Sequence, residues 1–241
     1  MSDITIKPAQ RTLCLFFLVD CSGSMDFNKK MSTLNQVIRE LKPQLEEALG
    51  KFPEIKMQIG CIKFADGADW HIGPTLLDLH DFSWMDLQAA GYTATAKAIN
   101  LLCDALDIER MSRRAVPPVC ILLSDGDYTD TEEEYEDAIA RLNGIPWGKK
   151  AIRIAIAIGD EQACSEAKLL PFTNAKDEHG SVGVLRAHNS SELVHYIKWA
   201  SVTASVTSSA GKSQLEVDAD TNIVLPAPTL APAITNATDV F

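Results

Sequence analysis

Apolar residues along the chain gather in short continuous runs that stop abruptly at polar turns. Leu13 to Val19 is unbroken and ends at Asp20, and Val119 to Leu123 ends at Ser124-Asp125. Ile55 to Phe64, Ile152 to Ile158 and Val182 to Leu185 complete the set. Runs this short, without strict alternation, belong to strands buried on both faces. Between them apolar residues return at helical spacing. Leu34, Val37, Ile38, Leu41, Leu45, Ala48 and Leu49 form one stripe, with Pro43 expected to kink that helix; Ala96, Ile99, Leu102, Cys103 and Leu106 form a second. Thr131 and Glu134 are spaced as a capping box opening a third helix through Ala138 and Leu142. A fourth starts near Asn189 with Glu192 in its cap, and carries Leu193, Ile197 and Ala200 on its inner face. Strands alternating with helices predict an α/β, Rossmann-like fold, a mainly parallel central sheet with helices on both faces. Ile72 to Leu79 contains Gly73 and Pro74; proline removes a ladder donor, so this segment is expected at a sheet edge, running antiparallel.

The pattern also sets the expected domain organisation: a lead-in over 1–11, one domain over 12–208 and a flexible tail over 209–241, where Pro226, Pro228 and Pro232 break any periodicity. Asn222 to Leu225 alternates enough to add a strand to a partner's sheet, but a disordered terminus is the preferred reading.

Charge narrows the partners. Asp and Glu number 33 against 22 Lys and Arg, a net −11, so a polyanion meets repulsion and nucleic acid is not an expected partner. The pairs Lys29-Lys30, Arg113-Arg114 and Lys149-Lys150 read as solvated loop charges. No apolar stretch approaches the ~18 residues that span a bilayer, and the first apolar run is too short for a secretion signal. A cytoplasmic chain with no membrane residence is expected. The six cysteines (14, 21, 61, 103, 120 and 164) show no CxxC spacing and read as reduced, buried thiols.

The chemistry gathers where the first buried strand ends. Asp20, Ser22 and Ser24 alternate in the turn leaving that strand, so carboxylate and hydroxyl oxygens converge on the sheet's C-terminal edge, where open α/β sheets bind ligands. Hard oxygen donors of this kind suit Mg²⁺, with Mn²⁺ or Ca²⁺ as alternatives. Cys21 is read as a spacer, since a thiol is a poor ligand for such ions.

Asp20-Cys-Ser22-Gly-Ser24 resembles the DxSxS signature of the metal-ion-dependent adhesion site of von Willebrand factor A (VWA) domains. Gly91-Tyr92-Thr93 resembles the segment supplying the threonine ligand, and Ser124-Asp125-Gly126 the strand end supplying the last acid. The resemblance implies a VWA fold with Asp20, Ser22, Ser24, Thr93 and Asp125 around one cation. Ser22, Ser24 and Thr93 then bind directly, Asp20 and Asp125 directly or through water, and a partner's Glu or Asp takes the sixth position. Thr95 competes with Thr93 for the ligand assignment; spacing from Gly91 favours Thr93.

Within this family the chain resembles the bacterial TerY group associated with tellurium resistance, through Leu122 to Asp130 and the closing segment from Ile197 to Ser205. It departs from that pattern at Asp127-Tyr128 and lacks the cysteine-rich extension of some relatives, leaving a zinc role without support. The resemblance implies an adaptor working with a kinase or a metal-dependent phosphatase.

Two other functions compete with this one. Asp125-Gly-Asp127-Tyr-Thr129 matches the DxDxT pattern of haloacid dehalogenase-like phosphatases, with Asp125 as nucleophile and Asp127 as general acid. That reading leaves Asp20, Ser22, Ser24 and Thr93 unexplained, and Cys164 stands where a further acid is needed after Gly159-Asp160. The other is a VWA subunit assisting an ATPase chaperone. No phosphate loop, nucleophile elbow or paired-histidine motif is present, so an enzyme is not expected. Seven carboxylates between Asp127 and Asp137 read as a helix first turn and a solvated face. Trp70, Trp84 and Trp147 fit partner anchors and rim packing equally well.

Overall fold

The computed structural model describes residues 10–107, 109–112, 115–126, 128–159, 165–209 and 224–228, with the backbone alone over 204–209. In chain order the elements are β1 (Arg11–Asp20), α1 (Lys30–Leu49), β2 (Ile55–Phe64), β3 (Ala68–Asp78), α2 (Thr95–Ala105) and β4 (Val119–Ser124). They continue with α3 (Glu132–Gly144), α4 (Pro146–Lys150), β5 (Ile152–Ile158), α5 (Glu166–Leu169), β6 (Lys176–Asp177), β7 (Gly180–Ser181), β8 (Val184–Ala187), α6 (Ser190–Ser209) and β9 (Val224–Leu225).

Six strands form one sheet in the order β3-β2-β1-β4-β5-β8, parallel throughout except for β3, which runs antiparallel to β2 at the edge. The ladder shifts register between Ile59 and Cys61, opposite Gly73-Pro74, so the proline interrupts pairing only at an edge.

β1 shows why the run from Leu13 to Val19 is continuously apolar. Leu13, Leu15, Phe17 and Val19 face a core shared with α1 and α6, whereas Cys14, Phe16 and Leu18 face a second core shared with α2 and α3. Alternate side chains point to opposite faces, and both faces are covered. Chain leaving β1 therefore goes to one face and chain leaving β4 to the other. The crevice between their C-terminal ends is the topological switch point of the sheet, the usual ligand position in this architecture.

The expected capping box is formed: the Thr131 hydroxyl accepts the Glu134 N–H at 3.3 Å, and the Glu134 carboxylate accepts the Thr131 N–H at 3.0 Å. At α6, Asn189 Oδ1 accepts the Glu192 N–H at 2.9 Å. Pro43 lies inside an uninterrupted α1. Trp84 Nε1 donates to Asn35 Oδ1 at 2.9 Å, and Trp70, Trp84 and Trp147 are partly buried against the two cores. Cys14, Cys21, Cys61, Cys103 and Cys120 are free and buried; Cys164, Asp160 and Arg113-Arg114 lie outside the described residues. Among the described residues no helix is long and apolar enough to cross a membrane.

Of the segment 209–241, residues 210–223 and 229–241 lie outside the described residues. Val224–Leu225 pairs in parallel with β6, giving a three-stranded ribbon β7-β6-β9 in which Leu225 is buried. Trp199 Nε1 donates to the Pro226 carbonyl at 3.0 Å.

Candidate metal centre

Asp20, the last residue of β1, is fully buried, and both of its oxygens are occupied. Oδ1 accepts the Ser22 N–H at 2.8 Å and Oδ2 accepts the Ser124 hydroxyl at 2.6 Å. Burial pushes the Asp20 carboxyl up from its ordinary 3.8 to about 6; the bonds from Ser124 and Ser22 oppose the rise and neighbouring Asp125 adds to it. The Ser24 hydroxyl donates to Asp125 Oδ1 at 2.8 Å, and Ser22 Oγ lies 3.0 Å from Ser24 Oγ. Since the one Ser24 proton points at Asp125, the Ser22 hydroxyl is the donor of that pair. Asp20, Ser22, Ser24 and Asp125 thus form one hydrogen-bonded chain across the β1–β4 crevice, buried at Ser22 and Asp125 and exposed at Ser24.

Thr93 is buried, on a loop tied by its backbone to the serine turn. Gly23 N–H donates to the Gly91 carbonyl at 3.0 Å and Ala90 N–H to the Cys21 carbonyl at 2.7 Å, stitching the serine turn to the threonine segment. Gly91 has φ of +85°, and a Cβ there would fall 2.6 Å from Asp66 Oδ1, the oxygen that accepts the Tyr92 N–H. Only glycine satisfies both conditions. Thr95 opens α2 and donates its N–H to the Thr93 carbonyl at 3.1 Å.

Four further residues shape the site without having been singled out for it in the sequence. Ser124 holds Asp20, as above. Thr129 Oγ1 accepts the Thr93 N–H at 3.0 Å and Thr129 N–H donates to the Thr93 carbonyl at 2.9 Å. Asp130 Oδ2 accepts the Ala96 N–H at 3.0 Å, capping α2 from another loop where α2's own cap residue, Ala94, has no side-chain oxygen. Lys30 corrects the solvated reading of the Lys29-Lys30 pair: Lys29 is exposed, but Lys30 is buried with Nζ 2.5 Å from Asp125 Oδ2. Its sequence signal was available, since Lys30, Leu34, Ile38 and Leu41 fall on one helical stripe. Asp127 lies outside the described residues.

Six oxygens bound octahedrally around a small divalent ion at about 2.0 to 2.1 Å stand about 2.9 Å from their neighbours. The Ser22–Ser24 and Ser24–Asp125 separations, 3.0 and 2.8 Å, match an edge of that figure. The oxygens at this edge are hydroxyls and two carboxylates, a hard set. At the rim, Phe27 and Tyr92 are each 70% exposed, one in the turn after the serines and the other beside Thr93.

Residues 15–181 match the von Willebrand factor type A domain family. Solved structures share the fold at low identity. A von Willebrand factor type A protein from Catenulispora acidiphila aligns with 18% identity and a TM-score of 0.59 over 82% of this chain and 43% of its own. Proximal thread matrix protein 1 from the mussel byssus, described with a zinc-occupied MIDAS motif, aligns with 17% identity and a TM-score of 0.55 over 82% of this chain and 46% of its own. The ArnB paralog VWA2 from Sulfolobus acidocaldarius gives 18%, 0.55, 79% and 45% in the same order. The chain therefore spans less than half the length of each of these proteins. No curated protein matches it in sequence.

Proposed function

The chain belongs to the von Willebrand factor type A domain family, and from that premise we propose that it is a non-enzymatic, metal-dependent protein-binding adaptor. Asp20, Ser22, Ser24, Thr93 and Asp125 hold one divalent cation, Mg²⁺ first and Mn²⁺ or Ca²⁺ as alternatives. The observation that carries this reading is the convergence of the Ser22, Ser24 and Asp125 oxygens, linked at 3.0 and 2.8 Å, beside the buried carboxylate of Asp20 at the sheet's switch point. The bound cation supplies a Lewis-acidic position for a partner's Glu or Asp. Phe27 and Tyr92 offer that partner two exposed rings, one in the turn after the serines and one next to Thr93 in the chain.

The setting proposed for this activity is cytoplasmic, in a TerY-like stress or tellurium-resistance module with a kinase or a metal-dependent phosphatase as partner. It rests on the likeness of Leu122 to Asp130 and of Ile197 to Ser205 to that group. A role beside an ATPase chaperone uses the same site and differs only in the partner. The alternative of phosphatase chemistry at Asp125 and Asp127 leaves Asp20, Ser22, Ser24 and Thr93 without a role.

Calorimetric titration of Mg²⁺, Mn²⁺ and Ca²⁺ tests the reading. Binding to the native chain is expected, with loss in Asp20→Ala and Thr93→Ala and no turnover of a phosphomonoester. Turnover that survives Thr93→Ala but disappears in Asp125→Asn would replace the adaptor with a phosphatase. For the partner, capture in magnesium that EDTA and Thr93→Ala both abolish is the expected result.

A further inference from the structure

Lys30 is the first residue of α1, where a positive charge opposes the helix dipole and where α1 carries no acidic residue in its first turn. It is nevertheless buried, its Nζ 2.5 Å from Asp125 Oδ2, with side-chain exposures of 6% and 1% for the two residues. Room for the lysine stem comes from Gly159 at the end of β5, where a Cβ would lie 3.3 Å from Lys30 Cε. Two consecutive residues of positive φ, Asn28 at 53° and Lys29 at 61°, lead the chain into α1 just before it. A cation is thus built into the carboxylate site from the protein itself.

We propose that Lys30 is a positioning residue that weakens cation binding at this site and strengthens the hold of the loaded site on a partner's carboxylate; the inference rests on the metal-binding reading above. Two effects act together. First, Asp125 gives Oδ1 to Ser24 and Oδ2 to Lys30, so a cation that draws on this carboxylate competes with the ammonium for its negative charge. Second, charge decides what the loaded site attracts. Two ionised aspartates and a divalent cation cancel, leaving nothing for an incoming carboxylate to neutralise. Adding the Lys30 ammonium leaves one positive charge, which a single Glu or Asp neutralises. The same ammonium, itself buried, repels the cation at short range.

The experiment measures cation affinity by calorimetry in the native chain, Lys30→Met and Lys30→Gln, each also carrying Asp20→Asn as control. Acetate is then titrated into each Mn²⁺-saturated protein. Lys30→Gln keeps a hydrogen-bond donor toward Asp125 without the charge, so it guards against a Lys30→Met chain that fails to fold. Both variants are expected to bind Mg²⁺ and Mn²⁺ at least about tenfold more tightly than the native chain and acetate more weakly. Their metal-free forms are expected to melt lower, since removing Lys30 leaves Asp125 buried without its countercharge. Lys30→Arg, which keeps the charge, should restore native affinities. Cation affinity that is unchanged or weaker in Lys30→Gln, while Asp20→Asn still abolishes binding, overturns the role of Lys30 and leaves the metal site standing. Absence of binding in every chain overturns the metal reading itself, and this inference with it.

Discussion

Asp20 carries the sharpest consequence at the scale of single residues. Its folded-state carboxyl is raised to about 6 from 3.8, chiefly by burial, so between those values the native chain holds a proton that the unfolded chain has released. In EDTA the resulting stabilisation is complete below about pH 4 and is lost as the pH rises through 6, amounting to about 2 to 3 kcal/mol. Urea melts in EDTA should therefore show a contribution from Asp20 that declines across this window and vanishes in Asp20→Asn. Cation affinity should move the opposite way, rising across the same window as the carboxyl ionises. Sequence made this residue legible because an acid after a continuous apolar run has one place to go, the sheet's C-terminal edge. Lys30 was not legible in the same way. Its charge argued for solvent, and only its register with Leu34 and Ile38 argued for burial, a weaker signal until Asp125 is known to face it.

Elements matter here through the loops that they hold in place. Thr93 stands two residues before α2, and α2 is capped from the β4–α3 loop by Asp130, whose carboxylate accepts the Ala96 N–H. Asp130→Ala should lower stability by about 1 kcal/mol, read by thermal melting. It should also weaken Mg²⁺ binding in calorimetry although Asp130 is not among the proposed ligands. Equal cation affinity in Asp130→Ala would show that the threonine loop is held independently of its cap. At this scale the strands of the central sheet were readable because burial on both faces leaves few polar positions within them. The exceptions have physical causes. β3 begins at Ala68, before the expected Ile72, because Ala68, Asp69 and Trp70 already pair with β2 at the edge, ahead of any apolar run. β6, β7 and β9 are two residues each, too short for any period to register. Thr129 and Asp130 were seen only as part of a motif, since a cap supplied from a distant loop leaves no local pattern.

For the whole molecule, the question is how much chain the folded unit needs. Sequence composition set the boundary at 208, where apolar periodicity stops and proline-rich chain begins. Yet Leu225 is 1% exposed and belongs to the same apolar core as Leu193 and Ile197 of α6, while Trp199 donates to the Pro226 carbonyl. Such contacts carry energy comparable to that of any buried leucine. Leu225→Ala should therefore cost about 2 to 5 kcal/mol, and a chain ending at Ser209 should melt several degrees lower than the full one. Neither change touches the β1–β4 crevice, so the Mg²⁺-induced rise in melting temperature should survive both. Thr93→Ala should do the converse, leaving the metal-free melt nearly intact and removing the rise. If the shortened chain instead melts with the full one, β9 is an appendage and the folded unit closes with α6; if it melts lower but loses the magnesium effect as well, the C-terminal strand and the metal centre are coupled through α6 and α1, which share the core that holds Lys30's helix against the sheet.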